Sequence, residues 1–200
     1  MANNQEDSVK KKVLLAARRL FFGFGYSKVT MDELASELNM SKRTLYQFYE
    51  SKKILLEAVI YDFFQEFQEE INKITYSKKE DALVSLKQII SLIQAHITKS
   101  SIHAFEDIKR NNPKAWETII NLREKMFNNE IRKLLIQAKE EKTVRDDIDI
   151  EIIVILILNT IQAVINPETI SRFPYTTEEV IDMLSKFVIS GIKKPKNNIL

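Results

Sequence analysis

The chain has no cysteine, which removes disulfide frameworks, thiolate nucleophiles and cysteine-based metal sites together. Glycine and proline are scarce as well, three and four in 200 residues, a poverty of breakers that favours long uninterrupted helices. Only two histidines occur, His96 and His103, with no paired carboxylates or cysteines at metal-ligand spacing. There is no Gly-rich phosphate loop and no Ser–His–acid arrangement. No catalytic residue, metal or cofactor is therefore expected, and no enzyme. Long hydrophobic runs are missing too: the longest, Ile152 to Leu158, spans seven residues, far below the roughly twenty of a membrane helix. The opening segment MANNQEDSVKKK is polar and lacks the apolar stretch of a secretory leader. A cytoplasmic protein with no membrane partner is expected.

Net charge is also small, +2, but it is unevenly placed. Residues 1–53 carry ten Lys and Arg against six Asp and Glu, whereas the remaining 147 carry twenty against twenty-two. A basic head on a slightly acidic body fits a protein that meets phosphate at one end. Within that head, TMDELASELNMSKRTLYQFYESKK (30–53) reads as two short helices and the start of a third. Thr30 and Glu33 have capping-box spacing, and Val29 with Leu34 forms a hydrophobic staple across the same helix start. Ser41 is a second cap, stapled by Met40 and Leu45. Asn39 between them tolerates the left-handed conformation that ends a helix. Short helix, tight turn and short helix make a helix-turn-helix.

The second of these helices shows why DNA is the expected partner. Leu45 and Tyr49, four apart, share the inward face, which leaves Lys42, Arg43, Thr44, Tyr46 and Gln47 on or beside the outward one. Arg and Gln read guanine and adenine edges bidentately, so Arg43 and Gln47 are expected to touch bases. Thr30, Ser41, Lys42, Thr44, Tyr46 and Lys52 are expected mainly to hold phosphates, Lys52 with help from the backbone amides that open its helix.

The first 56 residues resemble the DNA-binding domain of the tetracycline-repressor (TetR/AcrR) family of bacterial regulators. The resemblance is carried by Leu20, Phe21, Gly25, Tyr26, Thr30, Ala35, Ser41, Lys42, Thr44, Leu45, Tyr46, Ser51 and Lys52. It departs from the family pattern at Asn39 and Arg43, where Gly is frequent, and at Gln47, Phe48 and Tyr49. Asn39 serves the turn as Gly would. Arg43 and Gln47 alter the face offered to bases, so no relative's operator carries over. The resemblance implies an all-α fold of about nine helices. An N-terminal three-helix DNA-binding domain (1–53) would precede a helical effector-binding and dimerisation domain (54–200).

Periodicity fills in the remainder. Residues 8–24 place Leu14, Ala17, Phe21 and Phe24 on one stripe. A long helix from Lys52 carries Leu56, Ile60, Phe63, Phe67, Ile71 and Ile74 and joins the two domains. A fifth helix follows from Ala82 to Ile97, and a short sixth from Ile102 to Ile108, with a break near Ser100. Asn112-Pro113 caps a seventh, whose stripe includes Trp116, Ile119, Arg123, Phe127 and Ile131. Asp146 or Asp147 is expected to cap the eighth, Asn166-Pro167 to end it, and Thr176 with Glu179 to open the last, through Ile192. The tail KKPKNNIL is expected to fray.

Helices eight and nine are apolar over more than one face, as in a helix that meets a partner. The resemblance implies that they pair with the same helices of a second copy, a homodimer whose two heads meet a palindromic operator on double-stranded DNA. It further implies a small, often apolar or aromatic effector. Candidate lining residues are Phe64, His96, His103, Phe105, Trp116, Phe127, Asn159 and Gln162. The function expected is a transcriptional repressor released by that effector. The other reading is an effector-independent DNA-binding protein of the same fold, a nucleoid or division factor.

Overall fold

The computed structural model describes residues 2–76, 81–96, 99–165, 172 and 174–195, and for some of these only the backbone. Among the described residues there are nine α-helices and no strand: α1 (Ala2–Phe24), α2 (Met31–Glu37), α3 (Lys42–Phe48), α4 (Lys52–Thr75), α5 (Ala82–His96), α6 (Lys99–Asn111), α7 (Pro113–Glu140), α8 (Ile150–Ile165) and α9 (Thr177–Ile192). The chain divides into two compact units. The first comprises residues 1–67 and 99–122; the second comprises 68–98 and 123–200. The first is larger than the head expected at 1–53, because residues from α6 and α7 complete its core.

That core explains the helix-turn-helix. Val13, Ala17 and Phe21, spaced by four, form the buried stripe of α1. They pack with Leu34, Leu45, Leu55, Leu56, Val59 and Ile60, and with Ile108, Ala115 and Ile119 from the later segment. The stripe expected on α1 is corrected here: Leu14 is only partly buried and Phe24 is 64% exposed. Phe24 is the last helical residue, and Gly25 turns the chain away at φ +100. Charge ties α1 to α4 on the rim: Lys11 reaches Asp62 at 2.7 Å and Glu66 at 2.6 Å, and Arg18 reaches Glu66 at 2.5 Å.

In the second unit α9 packs on α5 and α8. Thr176 and Glu179 form the expected capping box of α9. The cap of α8 is Asp149, whose carboxylate accepts the Ile152 N–H at 3.1 Å, rather than Asp146 or Asp147. Those two carboxylates are taken: Asp146 by Lys194 at 2.7 Å and Asp147 by Arg145 at 2.6 Å. The same segment holds the first two residues of the tail expected to fray, since Lys194 N–H donates to the Thr143 carbonyl and Val144 bridges Lys193. The helix α6 runs from Lys99 rather than Ile102. Residues 97–98, Asn166-Pro167 and the last five residues lie outside the described ones.

Candidate nucleic-acid interface

Two caps fix the helix-turn-helix. The Thr30 hydroxyl oxygen accepts the Glu33 N–H at 3.1 Å, and the Thr30 N–H donates to the Glu33 carboxylate at 2.7 Å. The Thr30 backbone and side-chain bonds together hold the Glu33 carboxyl below its ordinary value. Ser41 accepts the Thr44 N–H at 3.0 Å, and the two hydroxyls lie 2.7 Å apart. Each such cap contributes about 1 kcal/mol to a helix of only two turns. Between them Asn39 adopts φ 52, and Met40 N–H returns to the Ala35 carbonyl at 3.0 Å, the left-handed helix end expected of that asparagine.

With the caps set, α3 is held by the one residue that it fully buries, Leu45, and by Tyr49 just beyond its end. Lys42, Arg43, Tyr46 and Gln47 are exposed and Thr44 half-buried. Arg43 and Gln47, one turn apart, make no hydrogen bond or ion pair with any described residue and are free to donate outward. Both lysines among the expected phosphate contacts are already engaged. Lys42 sits 2.8 Å from Asp32, whose hydrogen bond and charge raise the lysine pKa. Lys52 lies over the Tyr26 ring at 4.4 Å and 3.4 Å from the Ser27 carbonyl oxygen. Its burial lowers its pKa against the pull of Asp107 and Glu33. Lys28 and Lys53 are exposed and without partner among the described residues, two further cations beside the helix starts. Lys53 shares the start of α4 with Lys52, where the sequence alone offers both as phosphate ligands; Lys28, two residues before the Thr30 cap, is the one not singled out.

Phosphate must displace Asp32 from Lys42 or bind beside an uncancelled carboxylate. Asp32→Asn is accordingly expected to tighten binding to all DNA sequences alike and to steepen the dependence of log K on log salt by about one unit. Titrations across a salt series check this, and an unchanged slope contradicts it.

Asp107, on α6, was not anticipated from the sequence. Its carboxylate accepts the Ser27 N–H at 2.6 Å and the Asn111 amide at 2.6 Å. A Cβ on Gly25 would meet it at 3.2 Å. Burial pushes the Asp107 carboxyl up, but the bonds from Ser27 and Asn111 and the charge of Lys52 outweigh it, leaving the pKa lowered. The turn that positions α2 is thereby fastened to a segment eighty residues away.

The expected effector residues are divided between the two units. Phe64, Phe105 and Trp116 pack against the first unit's core, with Phe105 and Trp116 rings 6.2 Å apart. His103, in the same unit, is exposed 3.6 Å from Glu106. His96 and Phe127 belong to the second unit, where His96 bonds the Leu92 carbonyl at 2.9 Å. Asn159 spends its amide on the Ile155 carbonyl of its own helix, and nothing is described of the Gln162 side chain. Among the described residues, no group of three His, Asp or Glu could hold a metal ion, and no helix is long and apolar enough to cross a membrane.

An all-helical chain with a capped helix-turn-helix and an unpaired Arg/Gln face belongs to the class of DNA-binding transcription regulators. Residues 13–59 match the family model described as bacterial regulatory proteins, tetR family. The HTH-type transcriptional regulator YvaF of Bacillus subtilis (strain 168) is 28% identical over 185 residues, 91% of this chain and 94% of that one. Among solved structures, a transcriptional regulator from Saccharomonospora viridis in complex with choline has a TM-score of 0.79 at 17% identity, covering 94% of this chain and 100% of the other. FadR from Bacillus subtilis in complex with stearoyl-CoA has a TM-score of 0.71 at 16% identity, covering 91% and 98%. Over residues 13–59 the chain therefore carries the helix-turn-helix region of the tetR family of bacterial regulatory proteins.

Proposed function

We propose that the protein is a cytoplasmic repressor that binds a palindromic operator as a twofold dimer and leaves it when a small molecule binds the C-terminal domain. Residues 1–53 read the DNA, and 54–200 supply the effector site and the dimer contact through α8 and α9. The observation that carries the reading is the α3 face, where Arg43 and Gln47 stand exposed with their side-chain donors unused by any described residue. Thr30, Ser41, Lys42, Thr44, Tyr46 and Lys52 hold phosphates around them. Two fold neighbours are complexes with small molecules, choline in one and stearoyl-CoA in the other, which supports an effector here as well. Of the expected lining, His96, Phe127, Asn159 and Gln162 belong to the second unit, and Phe64, His103, Phe105 and Trp116 to the first.

Arg43→Ala is expected to cost about 1–3 kcal/mol on the preferred operator and to relax the base preference at one position per half-site. Selection of bound fragments from random DNA, with wild type and variant in parallel, reads both. Equal losses on operator and random DNA contradict base reading by Arg43.

A further inference from the structure

One charged side chain is explained by neither the DNA head nor the apolar faces of α8 and α9. Arg123 stands on the buried face of α7 beside Met126 and Phe127, and it is 7% exposed. No hydrogen bond or ion pair reaches its guanidinium from any described residue. Glu124 is exposed and acts on it only through its charge, while Glu130 is paired with Lys133 at 2.8 Å. Burial lowers the pKa of Arg123, with Glu124 opposing. A guanidinium does not shed its proton in a protein, so the charge stays, and no anion among the described residues pairs with it. An apolar side chain of similar size would fill the position at less cost.

We infer that Arg123 anchors the acidic end of the ligand bound by the C-terminal unit, and that this ligand is an apolar molecule with a single carboxylate. The inference rests on the effector-controlled reading above and names the chemistry of that effector. The planar fork of Arg matches a carboxylate with two parallel hydrogen bonds, which a point-charge lysine does not. Met126 and Phe127, buried on the same face, offer apolar and aromatic surface to the rest of the molecule. Glu130 restricts the far end. Seven residues on, it returns to within about 20° of the same face and about 10.5 Å along the axis. It is 4% exposed, and its Oε2 is buried without a hydrogen-bond partner. A second anionic group placed there would meet the buried, unpartnered Oε2 of Glu130, which disfavours a dicarboxylate. A quaternary ammonium at Arg123 is excluded by like charge.

The test uses the full chain and three probes of equal length: decanoate, 1-decanol and decyltrimethylammonium. In calorimetric titrations decanoate is expected to bind at least tenfold more tightly than decanol, and the ammonium not to bind. A second pair, 4-butylbenzoate and its alcohol, repeats the comparison with a rigid aromatic body. In Arg123→Met each carboxylate should fall to the affinity of its alcohol. The unliganded variant should melt at the same temperature as wild type or higher, because a buried unpaired charge has gone; Arg123→Lys should keep part of the preference. If both acids bind no better than their alcohols, or bind not at all, the assignment is overturned. It is equally overturned if Arg123→Met melts lower and keeps the acid preference, the mark of a structural arginine. Operator release is scored separately. Decanoate bound through Arg123 without loss of DNA affinity leaves the anion site standing and sinks effector control. Release of DNA that is unchanged in Arg123→Met does the reverse.

Discussion

Phe187→Glu is expected to convert the protein into a monomer that no longer holds its operator. Phe187 is 77% exposed on α9, and Ile155 is 57% exposed on α8, with Ile152, Leu156 and Met183 exposed on the same two helices. Large apolar side chains gathered in solvent mark a surface that meets a partner. A glutamate at Phe187 or Ile155 displaces no packed neighbour within the chain, so the folded subunit survives the change. The dimer does not, because two glutamates related by a twofold axis would be desolvated against each other. Linking two heads raises affinity by about 10²–10⁴, so operator binding should fall by at least about 100-fold. Light scattering and DNA titration of Phe187→Glu and Ile155→Glu check this. A wild-type chain that is monomeric at micromolar concentration would count directly against it.

Leu45→Ala should abolish operator binding by another route. Leu45 is the one residue that α3 fully buries, and it contacts the core shared by α1, α2 and α4. Truncating it removes favourable burial and leaves a void, a cost of about 2–5 kcal/mol against a domain stability of only about 5–15. The seven-residue helix has no second anchor of that size to hold its outward face in place. Denaturant unfolding should show the loss of stability and DNA titration the loss of both specific and random binding. Arg43→Ala separates the two effects, since its stability should match wild type. A stable Leu45→Ala that still reads the operator would show that Tyr49 and the caps suffice.

What could be read from the sequence was whatever depends on neighbours within one turn. The caps at Thr30, Ser41, Asn112 and Thr176, the left-handed Asn39 and the outward set on α3 all follow from spacings of three and four residues. Long-range choices were not legible. Asp146, Asp147 and Asp149 are equivalent as caps until Lys194 and Arg145 claim the first two. Asp107 looks like any exposed helical acid until the fold brings Ser27 to it, eighty residues away. Lys52 reads as a free cation until Tyr26 lies beneath it. The aromatic members of the expected effector set could not be sorted from the sequence, because aromatic character does not distinguish core from cavity, and Phe105 and Trp116 pack in the first unit. Arg123 was visible as an odd member of an apolar stripe; only its burial without a partner gave it meaning.

The first unit is assembled from two separate lengths of chain, 1–67 and 99–122, with thirty-one residues of the second unit between them. Ile108, Ala115 and Ile119 complete its core, and Asp107 fastens its turn, from beyond that interruption. Heredity then has no single cut that moves the reading head. A crossover placed after Phe67 would deliver a head missing three buried residues and its carboxylate clasp, while an insertion of the whole of 1–122 would carry α5 with it. With Arg43 and Gln47 as the proposed base readers, a new operator is then expected to be reached more readily by substitution on the exposed face of α3 than by exchange of a contiguous head.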